Sequence, residues 1–150
     1  MTLNRRSFIK STLLTSCSFL LPPAILDLWA GEEQSLRLGL ITDLHKDIIH
    51  DADLRLQTFL DFLKSVQPHA KIQLGDFAIP KKENQPFIDS FNQDSIPSLH
   101  VMGNHDLDEG YIKEQVIQTF GMPAAYYAQV IQGVRILVLD GNDPGSPKST

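Results

Sequence analysis

The sequence predicts an α/β domain built on a parallel sheet, and two observations carry that prediction. Three short, mostly apolar stretches, Leu38 to Thr42, Lys71 to Leu74 and Pro97 to Met102, each run into polar residues of metal-ligand type: Asp43-Leu44-His45, Gly75-Asp76 and Gly103-Asn104-His105-Asp106. Between the first two lies a segment with helical spacing, as a parallel βαβ connection requires. In an open α/β sheet, ligands bind beyond the carboxyl ends of the strands, so these three endings place their polar groups on one common edge.

Residues 1–30 read as an export leader. Arg5-Arg6 precedes a mostly apolar or small run, Ser11 to Leu21, closed by Pro22-Pro23. Paired arginines ahead of such a run match a twin-arginine signal. The run is too short to anchor a helix across a bilayer. Cleavage is expected after Ala30, with Ala24 as the alternative. Leu14-Thr15-Ser16-Cys17 has the form of a lipobox, whose acylated cysteine would make the membrane a partner. Six residues separate Cys17 from Lys10, an apolar region short for export, so Cys17 is read as part of the leader. The expected domains are 1–30, a twin-arginine signal, and 31–150, delivered to the periplasm by the twin-arginine machinery.

Leu36 to Thr42 forms the first strand, near-continuously apolar as in a strand buried on both faces. Asp43 and His45 are two residues apart, and on a continuing strand they project to one face and can share an ion. Leu56, Phe59, Leu60, Leu63 and Val66 recur at helical spacing, with Asp51 or Asp53 as cap and Pro68 as stop. His50 is read as a solvated loop residue, and His69 falls on the edge opposite the site. Ala70 to Leu74 forms the second strand, and Asn84-Gln85-Pro86 starts a helix that turns Phe87, Ile88 and Phe91 inward. His100 lies within the third strand and is read as a packed histidine. Asp108 is placed as the cap of a helix carrying Ile112, Val116 and Phe120, ended by Gly121 and Pro123. Tyr126 to Ile131 and Val134 to Leu139, joined by Gln132-Gly133, predict a hairpin. Asp140 and Asn142 follow it without an expected ligand role, and 141–150 is a Gly/Pro/Ser-rich tail.

Cys17 is the chain's single cysteine, so residues 31–150 offer neither a disulfide nor a thiolate, and a metal there must be held by oxygen and imidazole. Such donors suit manganese, iron, zinc or magnesium. With Arg5, Arg6, Lys10 and Asp27 removed, residues 31–150 carry 10 basic and 17 acidic residues, a net charge of −7. That balance, without a basic run, gives none of the electrostatics of a nucleic-acid binder. It also means that an anionic ligand would have to be drawn in by metal ions.

The ordered set Asp-x-His, Gly-Asp, Gly-Asn-His-Asp, within about Leu36 to Asp143, resembles the calcineurin-like metallophosphoesterases. The resemblance implies a two-layer β-sandwich flanked by helices, of which this chain supplies the amino-terminal half. It implies two metal ions (manganese, iron or zinc) that activate a bridging hydroxide for in-line attack on a phosphomonoester or phosphodiester. Asp43, His45, Asp76 and Asn104 would be metal ligands, with Asp76 bridging, while His105 assists the leaving group without binding metal. Asp106 is offered as a hydrogen-bond partner that orients His105. Many relatives carry a second acid shortly after the Gly-Asp pair, where this chain has Phe77-Ala78-Ile79-Pro80, so the group that orients His105 must come from elsewhere.

No histidine follows His105, although the family completes its ion pair with later histidines. The expectation is an incomplete enzyme, inactive as residues 31–150 alone, with a sheet edge and an apolar face uncovered. Two rival readings are a non-catalytic remnant that keeps the fold and one ion, and a flavodoxin-like binding module. The second lacks a glycine-rich phosphate loop.

Overall fold

The computed structural model describes residues 35–142. Arg5-Arg6, the Cys17 lipobox, both cleavage sites and all but the first two residues of the 141–150 tail lie outside the described residues.

Three strands, β1 (Leu38–Ile41), β2 (Ala70–Gln73) and β3 (Ser98–His100), form a parallel sheet in the order β1-β2-β3. Leu38 pairs with Ala70, and Lys71 with Ser98, so all three carboxyl ends meet at one edge. The helix α1 (Ala52–Val66) makes the crossover from β1 to β2, and α2 (Gln85–Asn92) the one from β2 to β3. Each returns the chain to start the next strand in the same direction.

β1 was expected to be buried on both faces, but it is an edge strand. Leu40 is 53% exposed, and the fully buried strand is the central β2. An outer strand has a neighbour on one side only, so an apolar run does not guarantee two covered faces. Gly39 supplies what β1 needs towards the helices, because an added Cβ would stand 2.6 Å from Leu63 Cδ2.

α1 buries Ala52, Leu56, Leu60 and Leu63. Asp51 takes the N-cap position as one of the two acids expected there, but its side chain makes no capping hydrogen bond and pairs with Arg55 at 2.9 Å, while Asp53 pairs with Lys46. α2 buries Phe87, Ile88 and Phe91 as the spacing predicts, and a short 3₁₀ turn, Lys82–Asn84, leads into it. These side chains meet Val116 and Phe120 of α3 (Lys113–Phe120) in the main core. α3 starts later than predicted. His105–Gly110 forms a separate 3₁₀ turn, with left-handed Glu109 at φ 59° ending it, so Asp108 caps no α-helix. Gln115 Oε1 instead accepts the Ile112 N–H at 3.0 Å. Gly121, at φ 72°, closes α3 as expected.

Strands β4 (Tyr127–Ile131) and β5 (Val134–Val138) make the predicted hairpin. Gln132 and Gly133 both have positive φ, 49° and 75°, as a type I′ turn needs. Ile131 and Val138 pack on Ala70, Ile72 and Leu99, forming a second apolar cluster beside the main core. The Tyr127 hydroxyl accepts from the His100 N–H and donates to its carbonyl, both at 3.0 Å, and so satisfies the outer edge of β3. Val130 and Leu137 remain more than half exposed. Among the described residues, no helix is long and apolar enough to cross a membrane.

Candidate metal centre

The strand-end loops are joined before any ligand is considered. Asp43 N–H donates to Gly75 O at 3.2 Å, His45 N–H to Asp76 O at 2.8 Å, and Lys46 N–H to Phe77 O at 3.1 Å. The loop after β1 therefore follows the loop after β2 well past the end of the strands. Asp76 in turn accepts the His105 N–H on Oδ1 at 3.0 Å, which ties in the loop after β3.

Asp43 and His45 were expected on one face of a continuing strand. The strand instead ends at Ile41, and Asp43 (φ 55°) and His45 (φ 42°) turn left-handed, as does Asp76 (φ 54°). Left-handed backbone costs a non-glycine residue about 1–2 kcal/mol, and three such residues at one edge mark a place where geometry takes precedence over stability. The curled loop still brings the pair together, with His45 Nε2 3.6 Å from Asp43 Oδ1 and 3.7 Å from Asp76 Oδ2. Gly103 is required here by space. A Cβ on it would stand 2.2 Å from both Asp76 N and Asp76 Oδ1.

His45, Asp76 and His105 each offer a ligand atom within 4.8 Å of the other two. His105, expected to assist the leaving group without binding metal, lines a cavity at the strand ends, and its ring stands edge-on to His45 with centroids 4.9 Å apart. The donor set, two imidazoles and a carboxylate with no sulfur, fits a divalent ion such as manganese, iron or zinc. Asp43 lies beside this trio with a largely exposed side chain, and Asn104 is exposed at the start of the 3₁₀ turn.

Asp106 does not orient His105. It is fully buried and accepts from three backbone N–H groups: Phe77 at 2.7 Å, Gly103 at 2.8 Å and Ala78 at 3.0 Å. Burial pushes its carboxyl up to about 6, despite those three donors. Asp106 thus joins the loop after β3 to the loop after β2, beneath the site. The bond to the histidine comes from Asp108, whose Oδ2 lies 2.7 Å from His105 Nδ1. That bond, ahead of the opposing effect of desolvation, holds the imidazole above its ordinary range.

Asp47 was missed in the sequence. Its carboxylate accepts the Ile79 N–H at 2.8 Å, the Asn84 amide at 2.8 Å and the Lys81 ammonium at 2.6 Å. Burial raises its pKa, but these donors outweigh burial and hold it below the usual carboxylate range. Its signal was the alternation Asp43-x-His45-x-Asp47, which carries the ligand spacing one step further. A cavity of about 170 Å³ opens over the trio, bordered by Asp47, Asp108 and Glu109.

The remaining polar candidates are elsewhere. His50 is exposed, and His69 binds the Arg37 backbone at the opposite edge, with Nδ1 3.0 Å from Arg37 N. His100 is buried between Gln73 (3.2 Å) and Asn92 (2.8 Å). Asp140 pairs with Lys113, while Asn142 donates to Met102 O at 3.0 Å.

A search of curated proteins finds no match to this chain. The family model of the calcineurin-like phosphoesterases matches residues 36–148, a span that takes in all three strand ends, the trio they assemble and the hairpin behind them. By that match, and by the α/β sheet whose strand ends gather the expected residue types, the chain belongs to the calcineurin-like phosphoesterase family.

Proposed function

We propose that this chain carries a metal-dependent phosphoesterase site, acting on a phosphomonoester or phosphodiester, on a domain exported by the Arg5-Arg6 twin-arginine signal to the periplasm. The observation that supports it most directly is the trio His45, Asp76 and His105 at the joined strand ends. In this reading His45 and Asp76 hold metal, with Asp43 and Asn104 as the further ligands that the family pattern assigns. A bound divalent ion supplies positive charge against the phosphoryl oxygens and acidifies a water molecule. His105, held at Nδ1, presents Nε2 to the cavity; in its charged form, with a proton on each ring nitrogen, it gives the Nε2 proton to the leaving oxygen and keeps the Nδ1 proton directed at Asp108. The acidic border of the cavity gives a phosphate no attraction of its own, so substrate entry depends on the ions. The complete site needs ligands for a second ion beyond those gathered here.

One observation favours a second reading, a non-catalytic module holding one ion: among the described residues, a single group of three His/Asp/Glu donors is found. Metal analysis and turnover separate the two. The purified chain is expected to take up about one manganese, iron or zinc ion, and Asp76→Asn to lower that uptake. Where an aryl phosphate or aryl phosphodiester is turned over, His105→Ala is expected to reduce the rate by about 10²–10⁴ while sparing most of the metal. Metal binding without turnover under any of the three ions favours the module. Loss of the ion in His105→Ala makes that histidine a ligand.

A further inference from the structure

Asp106 and Asp76 are both closer in sequence or better buried than the residue that holds His105, but each has other work. Asp106 spends its oxygens on Phe77, Ala78 and Gly103, and Asp76 Oδ1 accepts the backbone N–H of His105. The imidazole nitrogen Nδ1 goes to Asp108, three residues on, at 2.7 Å.

An exposed histidine and aspartate three residues apart often meet by chance and contribute little. Here both ends are fixed. The turn that carries them is anchored beneath by buried Asp106. It is closed by Leu107 N–H to Asn104 O at 3.2 Å. Asp108 itself is extended (φ −61°, ψ 166°), and the left-handed Glu109 and Gly110 that follow turn the chain back. From outside, Lys81 lies 3.8 Å from Glu109 while bonded to Asp47, which connects the turn to the loop after β2. A carboxylate held in this way acts as an acceptor only, so the proton of a neutral His105 must sit on Nδ1, leaving the Nε2 lone pair facing the cavity.

We infer that Asp108 is the positioning residue of this site, fixing the tautomer and ring orientation of His105 from within the same turn. The inference about the tautomer stands on geometry alone, and its effect on turnover rests on the phosphoesterase reading. It assigns a role to a residue outside the Gly-Asn-His-Asp motif, and it answers what orients His105 when Ile79 and its neighbours offer no acid.

The test uses the full chain, freed of metal with a chelator, with ¹⁵N-labelled histidine read by long-range proton-nitrogen correlation at a pH where the ring is neutral. In the unsubstituted chain, the His105 signals are expected to show the proton on Nδ1. Asp108→Asn can turn its amide donor to the ring and should move the proton to Nε2. Asp108→Ala should give a mixture, and Asp108→Glu should restore the Nδ1 form at least in part. Unchanged His69 and His100 signals in the same spectra report that each variant is folded. A proton on Nε2 in the unsubstituted chain, or one that stays on Nδ1 in both Asp108→Asn and Asp108→Ala, overturns the assignment. If an aryl phosphate is turned over, kcat should fall about 10–100-fold in Asp108→Asn with KM little changed, the usual size of a positioning effect. An absence of turnover in every form counts against the catalytic reading and leaves the tautomer result to stand or fall by itself.

Discussion

Gly103 shows how closely single residues are constrained at this site. Its Cα passes so near Asp76 that a methyl group would overlap the Asp76 backbone nitrogen and carboxylate, both 2.2 Å away. Neither obstacle is the free end of a flexible chain, since the carboxylate is held by the His105 N–H. Gly103→Ala is therefore expected to push the loops after β2 and β3 apart, at a cost of about 1–3 kcal/mol in stability. It should also weaken manganese or zinc binding, because Asp76 is displaced from His45. Denaturant unfolding and metal titration of the same variant check both effects, and unchanged metal affinity would show that the carboxylate tolerates the shift.

At the scale of elements, β2 has an unusual character for a central strand. Ala70 and Ile72 face the hairpin, whereas Lys71 and Gln73 are fully buried beside His100. Lys71 reaches Asp94, and Gln73 holds His100 and the carbonyl of Val101. Burial first, and the Lys71 charge second, push the His100 imidazole down to about 3. The sign follows directly. His100 is neutral when folded but takes a proton near pH 6.5 when unfolded, so its contribution is fully present above that pH and is lost as pH falls from about 6.5 towards 3. The slope from one such group is about 1.4 kcal/mol per pH unit. Asp106, raised to about 6, acts in the opposite direction between its ordinary value and 6. A difference measurement separates them. In the metal-free chain, His100→Gln should be less stable at pH 7, and its deficit should shrink as pH is lowered to 4.5. A deficit independent of pH in denaturant titrations would show that His100 charges without penalty.

The whole molecule carries its charge unevenly, with residues 1–30 at +2 and residues 31–150 at −7. Export by the twin-arginine route suits a domain that folds before crossing, and the loops of this site are joined by backbone bonds that only folding can make. Replacing Arg5 and Arg6 together with lysine keeps the charge but removes the pair that the pathway reads. The doubly substituted precursor is expected to accumulate uncleaved in the cytoplasm, as fractionation and immunoblotting would show. Normal processing at the normal rate would remove the twin-arginine assignment. The outward face of the hairpin, with Val130 and Leu137 exposed, adds an apolar surface to this otherwise acidic molecule.

The sequence by itself determined the strands, the inward faces of α1 and α2 and the hairpin, because these depend on local periodicity and on turn chemistry such as Gln132-Gly133 and Gly121. It also determined which residue types gather at the carboxyl edge, since a parallel βαβ connection leaves the strand ends no other place to go. Burial on both faces of β1 was misread, because an apolar run carries no record of how many neighbours the strand will have. The partners of the acids were also beyond it. Asp47, Asp106 and Asp108 look alike in sequence, yet one braces the loop after β2, one is sealed under the site and one holds His105. Tertiary structure decided among them because a carboxylate's role follows from its burial and from the donors that other loops bring to it. Those donors, the N–H groups of Phe77, Ala78 and Ile79 among them, belong to residues about thirty positions away in the chain.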